Sequence, residues 1–284
     1  MEIFFTLLYA FLIGFYNTFK KLAVRKGSNE SAILAIFTTV CFLCALIWIP
    51  YGIGISSKFV LLLAFKGFIL SISWFLTLKV LKTVDLSVVT ITNILSAVLS
   101  FVLGIILFNE SADILQIIGT ILILFGATAI NFVNRKGKGS ATPLEIFFLV
   151  VCALISSTSS IIDKVTTLQL TTQQVQFWFL LFICIFSWII FAFDSLKNKQ
   201  FLIKKTDFKN YWIYLVGIFL FIADFFLFLA YKQPSSQMLT ITVVSKLKIV
   251  VGVFTGFLIF KEKNLLKKIL ILLIVFAGVI LISI

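Results

Sequence analysis

The sequence predicts an all-α integral membrane protein whose ten transmembrane helices form two inverted five-helix repeats, and three observations carry that prediction. Of the 284 residues, 61% are hydrophobic and 12% charged, with a mean hydropathy of +1.18; a soluble domain is about half apolar and about a quarter charged. The apolar residues gather into runs of about 20, the length that crosses a hydrocarbon core of about 30 Å. The second half of the chain also repeats features of the first at a near-constant offset.

The runs cover residues 3–20, 31–50, 59–78, 86–108, 113–133, 144–163, 172–193, 210–231, 236–260 and 265–284. Together they leave no room for a soluble domain. The first run lacks a basic leading region and continues into FYNTFKK without a small-residue cleavage site, so it is expected to stay as a span rather than act as a signal peptide. The net charge of +13 would suggest nucleic acid in a soluble protein, but its distribution fits a lipid bilayer and no nucleic-acid partner. The loops after spans 1, 3, 5, 7 and 9 hold eighteen of the 24 Lys and Arg residues, and the loops after spans 2, 4, 6 and 8 hold four, including Lys66 inside the third run. Lys246 and Lys248 are the other two. Cytoplasmic loops collect cations, which predicts a multi-pass plasma-membrane protein with the odd-numbered loops in the cytoplasm and both termini outside.

Several functions are excluded early. Cys41, Cys44, Cys152 and Cys184 all lie in apolar runs, and the chain has no histidine, so a zinc or haem site lacks ligands. No metal and no cofactor are expected. There is no phosphate-binding glycine loop, no Ser/His pair and no H-E-x-x-H, which argues against a built-in ATPase and against an enzyme.

The repeat is most visible in the fourth and ninth runs. AVLSFVLGIILFNE (97–110) aligns with IVVGVFTGFLIFKE (249–262) at an offset of 152, which places Gly104 on Gly256 and Glu110 on Glu262. Gly126 falls on Gly278 at the same offset; TITN (90–93) resembles TITV (240–243) at 150, and Lys21 matches Lys164 at 143. The predicted units are 1–136 and 144–284, joined by a linker at 137–143. An odd number of spans per unit inserts the second copy upside down, and the interface of inverted repeats near the midplane is the usual binding site.

With ten spans, a lysine closing the first span of each half, and fourth spans ending in LFNE and IFKE, the chain resembles the EamA-type transporters of the drug/metabolite transporter superfamily. The resemblance covers essentially the whole chain. It implies two inverted bundles that move a small polar metabolite by alternating access. Two departures stand out: the proline that many members carry early in spans 4 and 9 is Ala97 and Ile249 here, and members usually keep both termini in the cytoplasm.

The candidate site follows from polar residues inside the runs. Ser245, Lys248, Gly252 and Gly256 share a helical stripe whose first-half counterpart is Asn93, Ser96, Ser100 and Gly104. Such stripes mark close packing or a cavity wall. A charge at the bilayer centre costs about 2.5–3.5 kcal/mol on insertion scales and normally faces water or a partner, so Lys248 favours the cavity. On one helix Lys246 points about 200° away from it, and an ion pair is expected to accommodate it. The expected partner is Asp224, deep in the eighth run. That pair could simply lock spans 8 and 9 together, or it could bind substrate or carry a coupling proton. At an offset of 150 Trp74 faces Asp224, and an indole opposite a carboxylate suits a cationic or zwitterionic ligand. Asn17 and the SSTSS run at 156–160 add hydrogen-bonding walls. The expected function is secondary active transport of an amino acid or related amine, ion-coupled or by exchange; a lipid-flipping or structural partner subunit of the same fold is the alternative.

Overall fold

The structure, a computed structural model, describes residues 1–93, 95–108, 113–133, 141–233, 240–241, 244–261 and 265–283. Among the described residues every regular element is a helix. The first half contains α1 (Glu2–Arg25), α2 (Glu30–Ala45) extended by a 3-10 turn (Leu46–Tyr51), α3 (Ser57–Thr83), α4 (Leu86–Thr92), α5 (Leu95–Phe108) and α6 (Ile114–Val133). The second half contains α7 (Pro143–Thr167), α8 (Thr172–Asn198), a short α9 (Lys205–Phe208), α10 (Tyr211–Tyr231), a 3-10 turn (Ser245–Leu247), α11 (Lys248–Leu258) and α12 (Leu265–Ser283). Glu110, Glu262 and most of the predicted linker at 137–143 lie outside the described residues.

Local chemistry sets several boundaries. The Asn29 side chain accepts from the Ser31 amide and starts α2. Thr142 with Glu145 and Thr171 with Gln174 form reciprocal capping boxes at the starts of α7 and α8, which satisfies amides that have no intrahelical partner. Pro143 occupies the first turn of α7, where its missing N–H removes nothing from the ladder.

Among the described residues, six helices are long and apolar enough to cross a membrane: α1, α2 with its 3-10 extension, α3, α7, α8 and α10. The fourth and ninth runs, read from the sequence as unbroken spans, are interrupted. Between α4 and α5 the Asn93 carbonyl accepts from both the Ser96 amide and the Ser96 hydroxyl, closing a tight turn in place of the regular ladder. The local sequence SVVTITN favours the break, because β-branched residues and Asn are poor helix formers and hydroxyls compete for backbone carbonyls. Thr90 does so, donating to Leu86 O at 2.9 Å. In the second half the 3-10 turn Ser245–Leu247 occupies the corresponding place, since Asn93 and Ser96 correspond to Ser245 and Lys248 at the offset of 152.

The halves interlock with a two-fold pattern. Helix α1 packs on α10 and α11, and its repeat mate α7 packs on α3 and α5. The pairing of α3 with α8 is mirrored by α10 with α2, while α2 with α8 and α6 with α12 are self-paired. Glycine permits the closest approaches: a Cβ on Gly14 of α1 would stand 2.4 Å from Val251 Cβ of α11, and one on Gly252 would stand 2.9 Å from Thr90 Cγ2 of α4. Helix α11 is therefore wedged between α1 and α4 by small residues, as membrane helices pack. The remaining space between the halves is a cavity.

Candidate substrate cavity

The cavity measures about 160 Å³ and lies between the two repeats. Each of four helices presents one face to it. On α1 the lining positions are 9, 13, 16, 17 and 20, and on α7 they are 152, 156, 159, 160 and 163. The two sets coincide when 143 is added to the first. On α3 the positions are 66, 70, 73, 74 and 77, and on α10 they are 220, 224, 227, 228 and 231, which coincide at 154. Spacings of three and four place each set on one helical face. The two helix breaks close the remaining wall with Asn93, Ser96, Ser245, Lys246 and Lys248.

All eight residues singled out from the sequence line this cavity: Asn17, Trp74, Asn93, Ser96, Asp224, Ser245, Lys246 and Lys248. Their relations differ from those expected. Trp74 and Asp224 are not repeat mates on the lining face; the offset of 154 pairs Leu70 with Asp224 and Trp74 with Phe228. The first residues of α3 and α10, Ser57 and Tyr211, differ by the same 154, and α10 is simply the shorter helix. Trp74 stacks among aromatics, its ring 5.7 Å from Phe37, 6.4 Å from Tyr16 and 6.3 Å from Phe179.

The expected ion pair between Asp224 and a lysine is absent among the described residues. Asp224 is 7% exposed and its Oδ2 has no hydrogen-bond partner. Lys246 instead donates to Ser96 Oγ at 2.7 Å, and the Lys248 ammonium lies 5.9 Å from the Tyr9 ring centroid. Nor do the two lysines diverge to opposite sides. The intervening 3-10 turn advances about 120° per residue, and with that turn at the end of their stems both ammonium groups reach the cavity. Thr242, four positions before Lys246 and so on its face of an unbroken helix, lies outside the described residues.

Three charged lining residues escaped the sequence reading. Lys66 and Asp163 form a buried ion pair between α3 and α7, with the Lys66 ammonium 3.8 Å from the Phe179 ring centroid and 4.9 Å from that of Phe228. Asp163 is 3% exposed, so Asp224 is not the only deep acid. Lys20, the last residue of the predicted first span and one of the eighteen cations counted with the odd-numbered loops, is 2% exposed and lies 4.8 Å from the Tyr16 ring centroid. Helix α1 continues five residues beyond the predicted end of its span, which carries Lys20 inside. A signal was present: Lys20 continues the stripe of Asn17, Asp163 continues that of Ser156, Ser159 and Ser160, and the two correspond at the offset of 143.

Comparison with known proteins agrees with this architecture. The sequence model of the EamA-like transporter family matches twice, over residues 1–132 and 143–284. No curated protein matches the chain. One of the matching solved structures, described as a crystal structure of a protein, superposes with a TM-score of 0.66 over 96% of this chain and 95% of its own at 16% identity. That likeness shows a shared fold.

Proposed function

The chain belongs to the EamA-like transporter family, and from that premise we propose that it is a secondary active transporter in which ten transmembrane helices, arranged as two inverted repeats, move a small polar metabolite by alternating access. An amino acid or a related amine fits best, driven by an ion gradient or by exchange. The observation that supports this reading is the cavity between the repeats, where matching faces of α1 and α7 and of α3 and α10 gather acids, lysines, hydroxyls and aromatic rings around about 160 Å³. Sites at the interface of inverted repeats, next to interrupted helices, suit alternating access because rocking one repeat against the other exposes them to each side in turn. The orientation proposed is termini outside: setting aside Lys20 and Lys66, which line the cavity, the loop cations still divide seventeen to three.

Uptake by proteoliposomes containing only this chain tests the proposal. Concentrative uptake or counterflow of an amino acid supports it. Lipid scrambling with no solute uptake would favour an amphiphile-moving role instead.

A further inference from the structure

We infer that the substrate of this cavity carries net negative charge: an amino acid with a second acidic group, its carboxylates held by Lys20, Lys246 and Lys248 and its ammonium by Asp224. This rests on the transporter reading above and narrows its substrate class.

Charge balance is the first argument. Four lysines line the cavity, Lys20, Lys66, Lys246 and Lys248, against two acids, Asp163 and Asp224. Lys66 and Asp163 neutralise each other directly. Three lysines then face one carboxylate, a formal excess of two positive charges. A buried charge is tolerated when it is paired or hydrogen-bonded, yet Lys20 and Lys248 make no ion pair or hydrogen bond among the described residues, and Lys246 has a single neutral hydroxyl as partner.

Position is the second argument. Lys248 lines the cavity with Lys20, Lys246 and Asp224 and interacts electrostatically with each, while Asp224 interacts also with Lys66 and Asp163. Lys20, Lys246 and Lys248 are thus coupled through Lys248, and Asp224 lies within electrostatic reach of both Lys248 and the Lys66–Asp163 pair. An anionic ligand among three ammonium groups relieves their mutual repulsion, whereas a cationic ligand adds to it. Asp224 supplies the opposite pole: its Oδ2 is buried without a hydrogen-bond partner, and a buried carboxylate oxygen in that state is an acceptor for an ammonium. Tyr16, on the α1 face between Ile13 and Lys20, offers a hydroxyl that is likewise buried and unpartnered. A neutral zwitterion would satisfy Asp224 and one lysine and leave two cations facing each other. A second acidic group removes that excess.

Isosteric pairs separate charge from size. Proteoliposomes holding the full chain are assayed for counterflow of L-glutamate against L-glutamine and of L-aspartate against L-asparagine, with L-lysine as the cationic probe. The expected result is at least a tenfold preference for each acid over its amide and no uptake of L-lysine. Lys248→Met should reduce that preference to threefold or less, and Lys248→Arg should retain it. The melting temperature of each variant, measured in detergent without ligand, shows that the protein is folded. Uptake of the amides equal to or better than the acids, or preference for L-lysine, overturns the inference and leaves the transporter reading intact. No uptake of any of the five by folded protein overturns both.

Discussion

Lys246 of the second repeat donates a 2.7 Å hydrogen bond to Ser96 of the first, tying together two helix interruptions that occupy corresponding places in the two halves. Ser96 is held in turn by Asn93, whose carbonyl accepts from its hydroxyl at 2.7 Å. The hydroxyl thus donates within its own turn and accepts from the lysine across the interface. Both residues are buried.

Ser96→Ala therefore leaves a buried ammonium without its protein acceptor. Hydrogen bonds to charged groups contribute about 1.5–3 kcal/mol, so the variant should lose about 2 kcal/mol of stability, read as a lowered melting temperature in detergent. Ser96→Thr keeps the hydroxyl and should lose less. Equal melting temperatures for wild type and Ser96→Ala would show that the contact contributes nothing.

Much of the architecture was legible because membrane burial imposes long apolar runs, and the duplication left aligned landmarks such as Gly104 with Gly256 and Lys21 with Lys164. What was hidden is where the helices stop being helical. The break between Thr92 and Leu95 goes with turn-like hydrogen bonding of Asn93 and Ser96, the one at Ser245–Leu247 is a 3-10 turn, and neither has a proline to announce it. An unbroken helix would send Lys246 and Lys248 in nearly opposite directions, whereas with the 3-10 turn both line the cavity. Pairing of charges was hidden for another reason: periodicity reports the face a residue occupies but not its neighbour on another helix. Lys66 thus met Asp163, ninety-seven positions away, while Asp224 stayed unpaired.

The Lys66–Asp163 pair gives a second prediction. Removing one member of a buried ion pair costs about 3–5 kcal/mol because the other charge remains, whereas replacing both by apolar residues is often neutral. Lys66→Met and Asp163→Leu should each fold poorly, and the double variant should recover most of the lost melting temperature. A coupling energy near zero in the double-mutant cycle would show that the two side chains act independently.

Packing of α11 gives a third. A Cβ on Gly14 would stand 2.4 Å from Val251 Cβ, and just below it Thr18 and Thr255 share a 2.8 Å hydrogen bond between the same two helices, which holds them in register. Gly14→Ala should destabilise by about 1–3 kcal/mol through overpacking. Val251→Ala in the same chain should restore most of it, because the clash is with that side chain. Failure of the second change to rescue the first would mean that the backbones, rather than Val251, set the spacing.

Orientation gives a fourth, read by reporters that are active only in the cytoplasm. With loop cations concentrated after the odd-numbered spans, a fusion following Arg135 should be active and one at the C-terminus inactive. The reverse pattern removes the model with both termini outside.

Asp224 gives the last. Had it been paired with Lys246 or Lys248, Asp224→Asn would strand a lysine and lower stability. It forms no ion pair among the described residues, and its Oδ2 is buried without a hydrogen-bond partner. Removing an unpaired buried charge relieves a desolvation cost, so Asp224→Asn should melt at the same temperature as the wild type or higher. Transport should respond in the opposite direction, because Asp224 lines the same cavity as Lys20, Lys246 and Lys248. If it holds the substrate ammonium, both counterflow and concentrative uptake of glutamate fall by tenfold or more. If it carries a coupling proton alone, exchange survives and only accumulation against a gradient is lost. A variant that melts lower and transports normally would show the carboxylate to be a packing element, and would turn attention to Trp74, Asn93 and Ser96 in the same cavity.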